Sequence, residues 1–374
     1  MRIIHLPYYQ DNPYQDLLSE AQRERGHTVS PGGGGGRFLK TALFKWRADV
    51  LHFHWLHPYL LGKSWYSTVY RSCFFLFELF VLRLAGTKLI WTMHNAVSHD
   101  APHVRTELFF QKLAARSFDA ILVHSRHAMQ LLIDSTGVNP ERVLVYPHPH
   151  YPLHSENPLS QKQARTNLGI PEQDLVFLFL GRIQPYKGVE RLITCFRRLE
   201  GTHLRLMIRG GCPDEKLKQL IQSLALQDSR IDLEFGHVGE TQIEQYMAAS
   251  DAVVFPFERI LTSGSVVLAC GYSRPVIAPD LGGLSELFSE PYPFLYQDGP
   301  TETGVDALED TLRSVAASRA ELSGWGKTCF EAVHESTWSG YAEVLDAMYS
   351  QSSRITVNPE TVVSNLSVNS KIES

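Results

Sequence analysis

The chain has 374 residues, of which 44% are apolar and 20% charged, and its formal net charge is −5. That length is more than one core needs and suits two domains of a soluble globular protein. The negative balance argues against a general nucleic-acid binder. Five scattered cysteines (Cys73, Cys195, Cys212, Cys270, Cys329) with no C-x-x-C pair argue against a disulfide framework or a zinc site.

The opening "MRIIHLPYY" is too soon interrupted for a signal peptide and reads as a first strand, which suits a cytoplasmic protein. A helix is predicted from Pro13 to Arg25. The glycine run 32–36 reads as a flexible loop, natural or engineered, with no chemical role. "ADVLHFHWL", "TKLIWTMHN" and "DAILVHS" are further buried strands, with a helix from Val104 to Arg116 between the last two. "CFFLFELFVLRLAG", Cys73 to Gly86, is broken by Glu78 and Arg83 and falls short of a membrane span. It reads as a buried helix. The sharper alternative is a helix that dips into a membrane surface, with Arg71, Arg83 and Lys88 at the headgroups.

Tyr146 to Pro158, rich in proline and histidine, reads as a linker. The alternation then restarts with "DLVFLFLGRI", "LRLMIRGG", "IDLEFGHV", "DAVVFPF" and "RPVIAPD". An amphipathic helix is predicted from Trp338 to Tyr349, and a polar, disordered tail follows. The expected division is therefore two α/β domains, 1–155 and 156–335, a helix within 336–351 and a tail over 352–374. Buried strands alternating with helices indicate parallel sheets, whose ligands bind beyond the strands' carboxyl ends.

Two motifs carry chemistry in the second domain. In "LFLGRIQPYKGVERLI" a strand delivers Arg182, and Lys187 precedes a helix start, so two cations and free N–H groups form an anion site suited to a diphosphate. In "LTSGSVVLA" the turn Thr262-Ser263-Gly264-Ser265 opens a helix over Val266 to Gly271. Thr262 or Ser263 can cap it, and Gly264 lets a phosphate approach the backbone. The plainer reading of this turn is an N-cap alone. No metal site is expected. His52 and His54 share a strand face, but no third ligand stands at a completing spacing, so packed or hydrogen-bonded histidines are the expectation.

"GRIQPYKGVERLI" followed by "SRPVIAPDLGGLSE" resembles the donor-binding half of a GT-B glycosyltransferase. The resemblance implies an α/β fold of two Rossmann-like domains facing across a cleft, the first binding acceptor and the second a nucleotide sugar. It also implies a C-terminal helix that crosses back to the first domain. Retaining members, such as those of family 4, carry two glutamates eight positions apart, here expected at Ile260 and Leu268. Neither position is acidic, and Glu258 is the one nearby carboxylate that a shifted loop can bring in. "NPYQDLL", "ADVLHFHWLHPYLL", "WTMHNAVSHD", "PHPHY" and "LTSGSVVLA" together resemble the inverting bacterial β-mannosyltransferases of family 94, which use GDP-mannose and a lipid-linked oligosaccharide in polysaccharide biosynthesis.

Inversion needs a base. "HNAVSHD" offers Asp100, with His99 as runner-up. The resemblance implies an acidic residue at Asp100 and a histidine at His94 that contacts the donor sugar or orients the acceptor. A helix N-cap is the plainer reading of Asp100. The expected donor contacts are Arg182, Lys187, Glu258, Thr262, Ser263, Gly264 and Ser265, and the expected acceptor contacts are His54, Trp55, Asn95 and His150. The expected partners are a nucleotide-sugar donor and a saccharide or glycolipid acceptor, with no cofactor, metal or nucleic acid and with peripheral contact at the inner face of the membrane. A retaining enzyme built on Glu258, a UDP-sugar epimerase and a non-catalytic nucleotide-sugar binder are the competing readings.

Overall fold

The computed structural model describes residues 1–9, 12–34, 36–95, 103–153, 158–297 and 306–350. It divides into two compact units, Met1–Pro149 with the segment from Ser336, and His150–Glu335. His99, Asp100 and the predicted tail lie outside the described residues.

Unit 1 is built on a six-stranded parallel sheet. Its strands are β1 (Arg2–Leu6), β2 (Thr28–Pro31), β3 (Val50–Phe53), β4 (Lys88–Thr92), β5 (Ala120–Val123) and β6 (Val143–Val145), in the order β2-β1-β3-β4-β5-β6. Helices α1 (Pro13–Glu24), α2 (His57–Leu60), α3 (Trp65–Leu84), α4 (Val104–Ala115) and α5 (Arg126–Thr136) connect them. All four residues of β3 and of β5 are buried, which is why these strands read as unbroken apolar runs. The Asn12 side chain caps α1 by accepting from the Tyr14 N–H at 3.1 Å, and Pro13 fills the first turn, where no N–H is needed.

The prediction of a buried helix over Cys73 to Gly86 is corrected by α3. Ser64 and Ser67 form its capping box. One face, with Thr68, Phe75, Leu79 and Leu82, is buried. The opposite face sets Tyr66, Tyr70, Cys73, Phe77, Phe80 and Leu84 in a single exposed stripe. Phe80 is 59% exposed and Leu84 73%. These residues recur at alternating steps of four and three, so they share one side of the helix. Apolar residues on both faces of a helix do not require burial of both. No described helix is long and apolar enough to cross a membrane.

Unit 2 repeats the design. Its strands are β7 (Leu175–Leu180), β8 (Leu204–Gly210), β9 (Ile231–Phe235), β10 (Ala252–Val254), β11 (Val276–Pro279) and β12 (Leu295–Tyr296), ordered β12-β11-β10-β7-β8-β9. Helices α6 (Gln161–Leu168), α7 (Val189–Arg197), α8 (Glu215–Ala225), α9 (Glu240–Ala249), α10 (Gly264–Gly271), α11 (Ala307–Ala317) and α12 (Leu322–Val333) surround them. β7 is central, and all six of its residues are buried. The chain then returns to unit 1 through α13 (Trp338–Ser350). There Tyr341 and Tyr349 are buried, and their hydroxyls bond Tyr14 and Gln22 of α1.

Candidate active site

In unit 2 the carboxyl ends of β7, β8, β10 and β11 converge on one patch, and glycines make the convergence possible. Gly188 has φ +66°, and a Cβ there would lie 2.1 Å from the Pro256 carbonyl oxygen. The turn that carries Lys187 is thus pressed onto the end of β10, and only glycine satisfies both the dihedral and the contact. The Glu258 N–H donates to the Tyr186 carbonyl at 2.9 Å, which ties the same two segments again. A Cβ at Gly181 would lie 3.6 Å from Ser265 Oγ, so the hydroxyl turn stands beside the strand end that delivers Arg182. Gly282, with φ +70°, packs where a Cβ would meet the Ile260 carbonyl oxygen at 2.6 Å.

Within that patch Ser263 is the N-cap of α10, accepting from the Val266 N–H at 3.3 Å. The helix begins at Gly264, two residues before the sequence prediction. Its first amides, those of Gly264 and Ser265, have no intrahelical acceptor. The N-terminal end of the helix dipole adds positive potential there. Lys187 is half-buried, with Nζ 4.4 Å from the Phe257 ring centroid and 5.5 Å from that of Tyr186. Burial pushes its pKa down to about 8. It forms no ion pair among the described residues, so the folded protein holds an ammonium that an incoming anion would stabilise. Arg182, five residues earlier in the chain, is exposed. Such an arrangement has the charge and the N–H donors that a polyanion needs.

Unit 1 holds a different constellation. A histidine stands in or just past the end of each of five strands: His5 on β1, His52 and His54 at β3, His94 after β4, His124 after β5 and His148 after β6. All six are buried. Their rings form an unbroken row, with centroid separations of 5.0 Å for His5–His54, 5.5 Å for His54–His94, 5.5 Å for His94–His124 and 5.2 Å for His124–His148. Tyr14 of α1 lies edge-on to four of them. Burial, then the like charge of neighbouring rings, holds His52, His54 and His94 neutral far below their ordinary pKa. Burial brings His5 down to about 4, His124 to about 3 and His148 to about 4.

The nitrogens of His5, His52 and His54 lie within 4.8 Å of one another, a grouping that can suggest a metal. The rings argue otherwise. His52 and His54 stack at 4.4 Å with 24° between planes, so their in-plane lone pairs run side by side instead of meeting at a point. His5 Nδ1 and His54 Nε2 already share a hydrogen bond of 2.7 Å.

Known proteins resemble this chain in sequence and in fold. Residues 160–322 match the family described as glycosyl transferases group 1. A GDP-mannose:glycolipid 4-beta-D-mannosyltransferase of Xanthomonas campestris is 28% identical over 344 residues, covering 91% of this chain and 90% of that protein. A D-inositol 3-phosphate glycosyltransferase of Stackebrandtia nassauensis is 27% identical, over 80% of this chain and 68% of its own. In fold, sucrose-phosphate synthase from Thermosynechococcus elongatus superposes with a TM-score of 0.71 at 18% identity, covering 93% of this chain and 97% of that one. Anabaena HepE in complex with UDP and glucose superposes with a TM-score of 0.70 at 17% identity, covering 94% and 99%. The protein is a glycosyltransferase of GT-B fold.

The transferase brings together, within unit 2, the sequence-nominated Arg182, Lys187, Glu258, Thr262, Ser263, Gly264 and Ser265. Glu258 is exposed at the rim of the patch. Leu268 is on α10 and packs against the core, so no carboxylate stands where the second glutamate of the retaining pattern would be. In unit 1 the transferase stacks Trp55 on His94 at 4.7 Å, and His54, Trp55 and Asn95 line one small pocket with Glu107 and Gln111. Both ring nitrogens of His54 are hydrogen-bonded, to His5 and to His94, so its reach toward a ligand runs through His94. His150 belongs to the other unit. His148 corrects the linker reading. It is buried, edge-on to Tyr14 and Trp338, because the chain from Tyr146 to Pro149 is packed against α1 and α13.

Sequence reasoning missed His5, His124, Gln22 and the tyrosines that bind them. The available signal was the recurrence of histidine at successive strand ends.

Proposed function

We propose that the protein transfers a hexose, with GDP-mannose the favoured donor, to a saccharide or lipid-linked saccharide acceptor, with inversion and without a metal. The observation that carries this reading is the half-buried ammonium of Lys187, outside any described ion pair, on a turn that Gly188 seats against the end of β10, in the same unit where Ser265 of the hydroxyl turn lies beside Gly181. Such a site stabilises the charge that develops on a departing nucleoside diphosphate. The relative named for GDP-mannose supports the choice of sugar nucleotide, and the family match supports the donor side. With Leu268 in place of a second glutamate, the weight falls on a base in the N-terminal unit, and we assign it to Asp100, with His99 next. We assign to His94 contact with the sugar or orientation of the acceptor, and to Trp55, Asn95 and His54 of unit 1 the acceptor contacts.

One experiment tests the donor, the stereochemistry and the base. GDP-mannose is expected to raise the melting temperature more than UDP-glucose or UDP-GlcNAc does, and NMR of the product is expected to show the β anomer. Asp100→Asn should keep the donor-induced shift and lose turnover. An α product would turn the reading toward retention through Glu258. Consumption of UDP-GlcNAc without any acceptor would turn it toward an epimerase.

Peripheral membrane contact belongs to the same proposal. The exposed stripe of α3 is aromatic, and Arg71, Arg83 and Lys88 lie along or just past the helix, a pattern suited to an interface with anionic lipid. This would place the enzyme at the cytoplasmic face of a membrane, where lipid-linked acceptors are elongated. Vesicles containing anionic lipid are expected to sediment the wild type and to release Phe77→Ser/Phe80→Ser. Equal partitioning of the two would remove this part of the proposal.

A further inference from the structure

Unit 1 carries a cavity of about 310 Å³ that shares no residue with the pocket around His54, Trp55 and Asn95. Its size is at the lower end for a small-molecule site. Tyr70, Arg71, Phe74 and Glu78 of α3 line it, together with Arg37, from the segment after β2, and Tyr59 of α2. Arg37 is exposed, yet it is held at the cavity. Its guanidinium carbon lies 4.4 Å from the Phe74 ring centroid, and Nη2 donates to the Tyr70 hydroxyl at 2.7 Å. That bond uses one of its five N–H donors, and Arg37 forms no ion pair among the described residues.

The charge of the lining narrows the choice of ligand. Arg71 donates from Nη2 to the Pro58 carbonyl and brings a second guanidinium. Glu78 is buried, and its Oε1 accepts from the Phe38 and Leu39 amides at 3.1 and 3.0 Å. Burial raises the pKa of this carboxyl, whereas the two amides and the charge of Arg37 favour its ionised form. Two guanidinium groups against one carboxylate leave the described lining with a single net positive charge. A phosphodiester carries one negative charge and matches it, and a diphosphate carries more. The two free oxygens of a phosphodiester also suit the planar fork of an arginine. The cavity is continuous with the exposed stripe of α3. Tyr70 belongs to both, and the rings run on from Tyr70 to Phe74 at 6.5 Å and from Phe74 to Phe77 at 6.1 Å.

We propose that this cavity binds the phosphodiester headgroup of an anionic glycerophospholipid, with Arg37 as its principal contact and the acyl chains beside the stripe of Phe77 and Phe80. The inference rests on the membrane contact proposed above and adds a stoichiometric site to it. Diffuse attraction to a membrane reads charge alone, whereas a cavity with a fixed guanidinium reads the phosphodiester.

The test follows the arginine Nε–Hε resonances of the full chain labelled with 15N at arginine, and the Arg37 signal is assigned by its loss in Arg37→Gln. Glycerophosphoglycerol, the deacylated headgroup of phosphatidylglycerol, is expected to shift that signal saturably. Pyrophosphate at equal ionic strength is expected to bind more weakly. Arg37→Gln should lower affinity for phosphatidylglycerol vesicles about tenfold, the effect of one charge-assisted contact. Arg37→Lys keeps the charge without the fork and should restore that affinity only in part. An Arg37 signal that glycerophosphoglycerol does not move overturns the proposal, and so does full recovery in Arg37→Lys, which would leave diffuse charge as the cause. Tighter binding of pyrophosphate also overturns it, in favour of the diphosphate of a lipid-linked acceptor. Phe77→Ser/Phe80→Ser separates this proposal from the one it rests on. It should leave the vesicles and keep the Arg37 shift with glycerophosphoglycerol. Vesicle binding retained in that variant would remove the stripe alone, and an unmoved Arg37 signal in a wild type that still binds vesicles would remove the cavity alone.

Discussion

Lys187→Met is expected to make the unliganded protein more stable and nearly inactive. The ammonium sits against the Phe257 and Tyr186 rings, and burial has lowered its pKa from 10.5 to about 8. Below pH 8 it is charged in both folded and unfolded states, and the folded state bears the cost of its lost hydration. Discounted for the part of the side chain that water still reaches and for the cation–π contacts, that cost is about 1 kcal/mol. Methionine keeps the apolar stem and removes the charge, so the melting temperature should rise by roughly 2–4 °C. In the proposed donor site a bound diphosphate would compensate the ammonium. Without it the developing charge on the leaving group loses a fixed cation, and kcat/KM should fall roughly 100- to 1000-fold.

The sign of the pH effect follows from the same shift. The lysine loses its proton as pH rises through about 8, so donor affinity in wild type should weaken above that pH. Stability runs the opposite way. Between pH 8 and 10.5 the unfolded chain holds a proton that the folded one has released, so this group's penalty shrinks as pH rises. Thermal melts and initial rates from about pH 7 to about pH 9.5 check both. A variant that melts lower and turns over normally would show that Lys187 is merely packed.

Much of the candidate anion patch in unit 2 was legible because its signals are local. A buried strand followed by Gly-Arg and a Pro-Tyr-Lys-Gly turn defines its own geometry within a dozen residues, and so does a hydroxyl turn before an apolar helix. The absent acid at Leu268 needed only a count along the chain. What was not legible depends on partners far away in sequence. The contact of Gly188 with Pro256 joins residues 68 apart, and nothing near Gly188 announces it. The histidine row joins residues on separate strands, and each member alone reads as an ordinary polar residue at a strand end. The prolines around His148 make it look solvated, yet α13, from the far end of the chain, covers it. In α3 the failure is of another kind. A helix apolar on both faces looks the same in sequence whether the second face meets protein, lipid or solvent.

The histidine row makes unit 1 acid-labile well above the pH at which carboxylates titrate. His5, His124 and His148 have folded pKa values near 4, 3 and 4, against 6.5 when unfolded. Between those limits the unfolded chain binds more protons, so stability falls as pH falls. Lowering pH from about 7.5 to about 5.5 leaves these rings neutral in the folded state and protonates most of them in the unfolded one. That costs about 1.3 kcal/mol per ring, or about 4 kcal/mol for the three. His52, His54 and His94 shift in the same direction and add to it. Against a total stability of roughly 5–15 kcal/mol, the loss is large. Five of the six tryptophans (Trp46, Trp55, Trp65, Trp91 and Trp338) lie in unit 1, so fluorescence reports mainly on it. The urea midpoint by tryptophan emission should therefore drop steeply between about pH 7.5 and about pH 5.5, and His124→Gln should flatten part of that slope. A midpoint that stays level across this range would mean that the row is open to water and holds its ordinary pKa values.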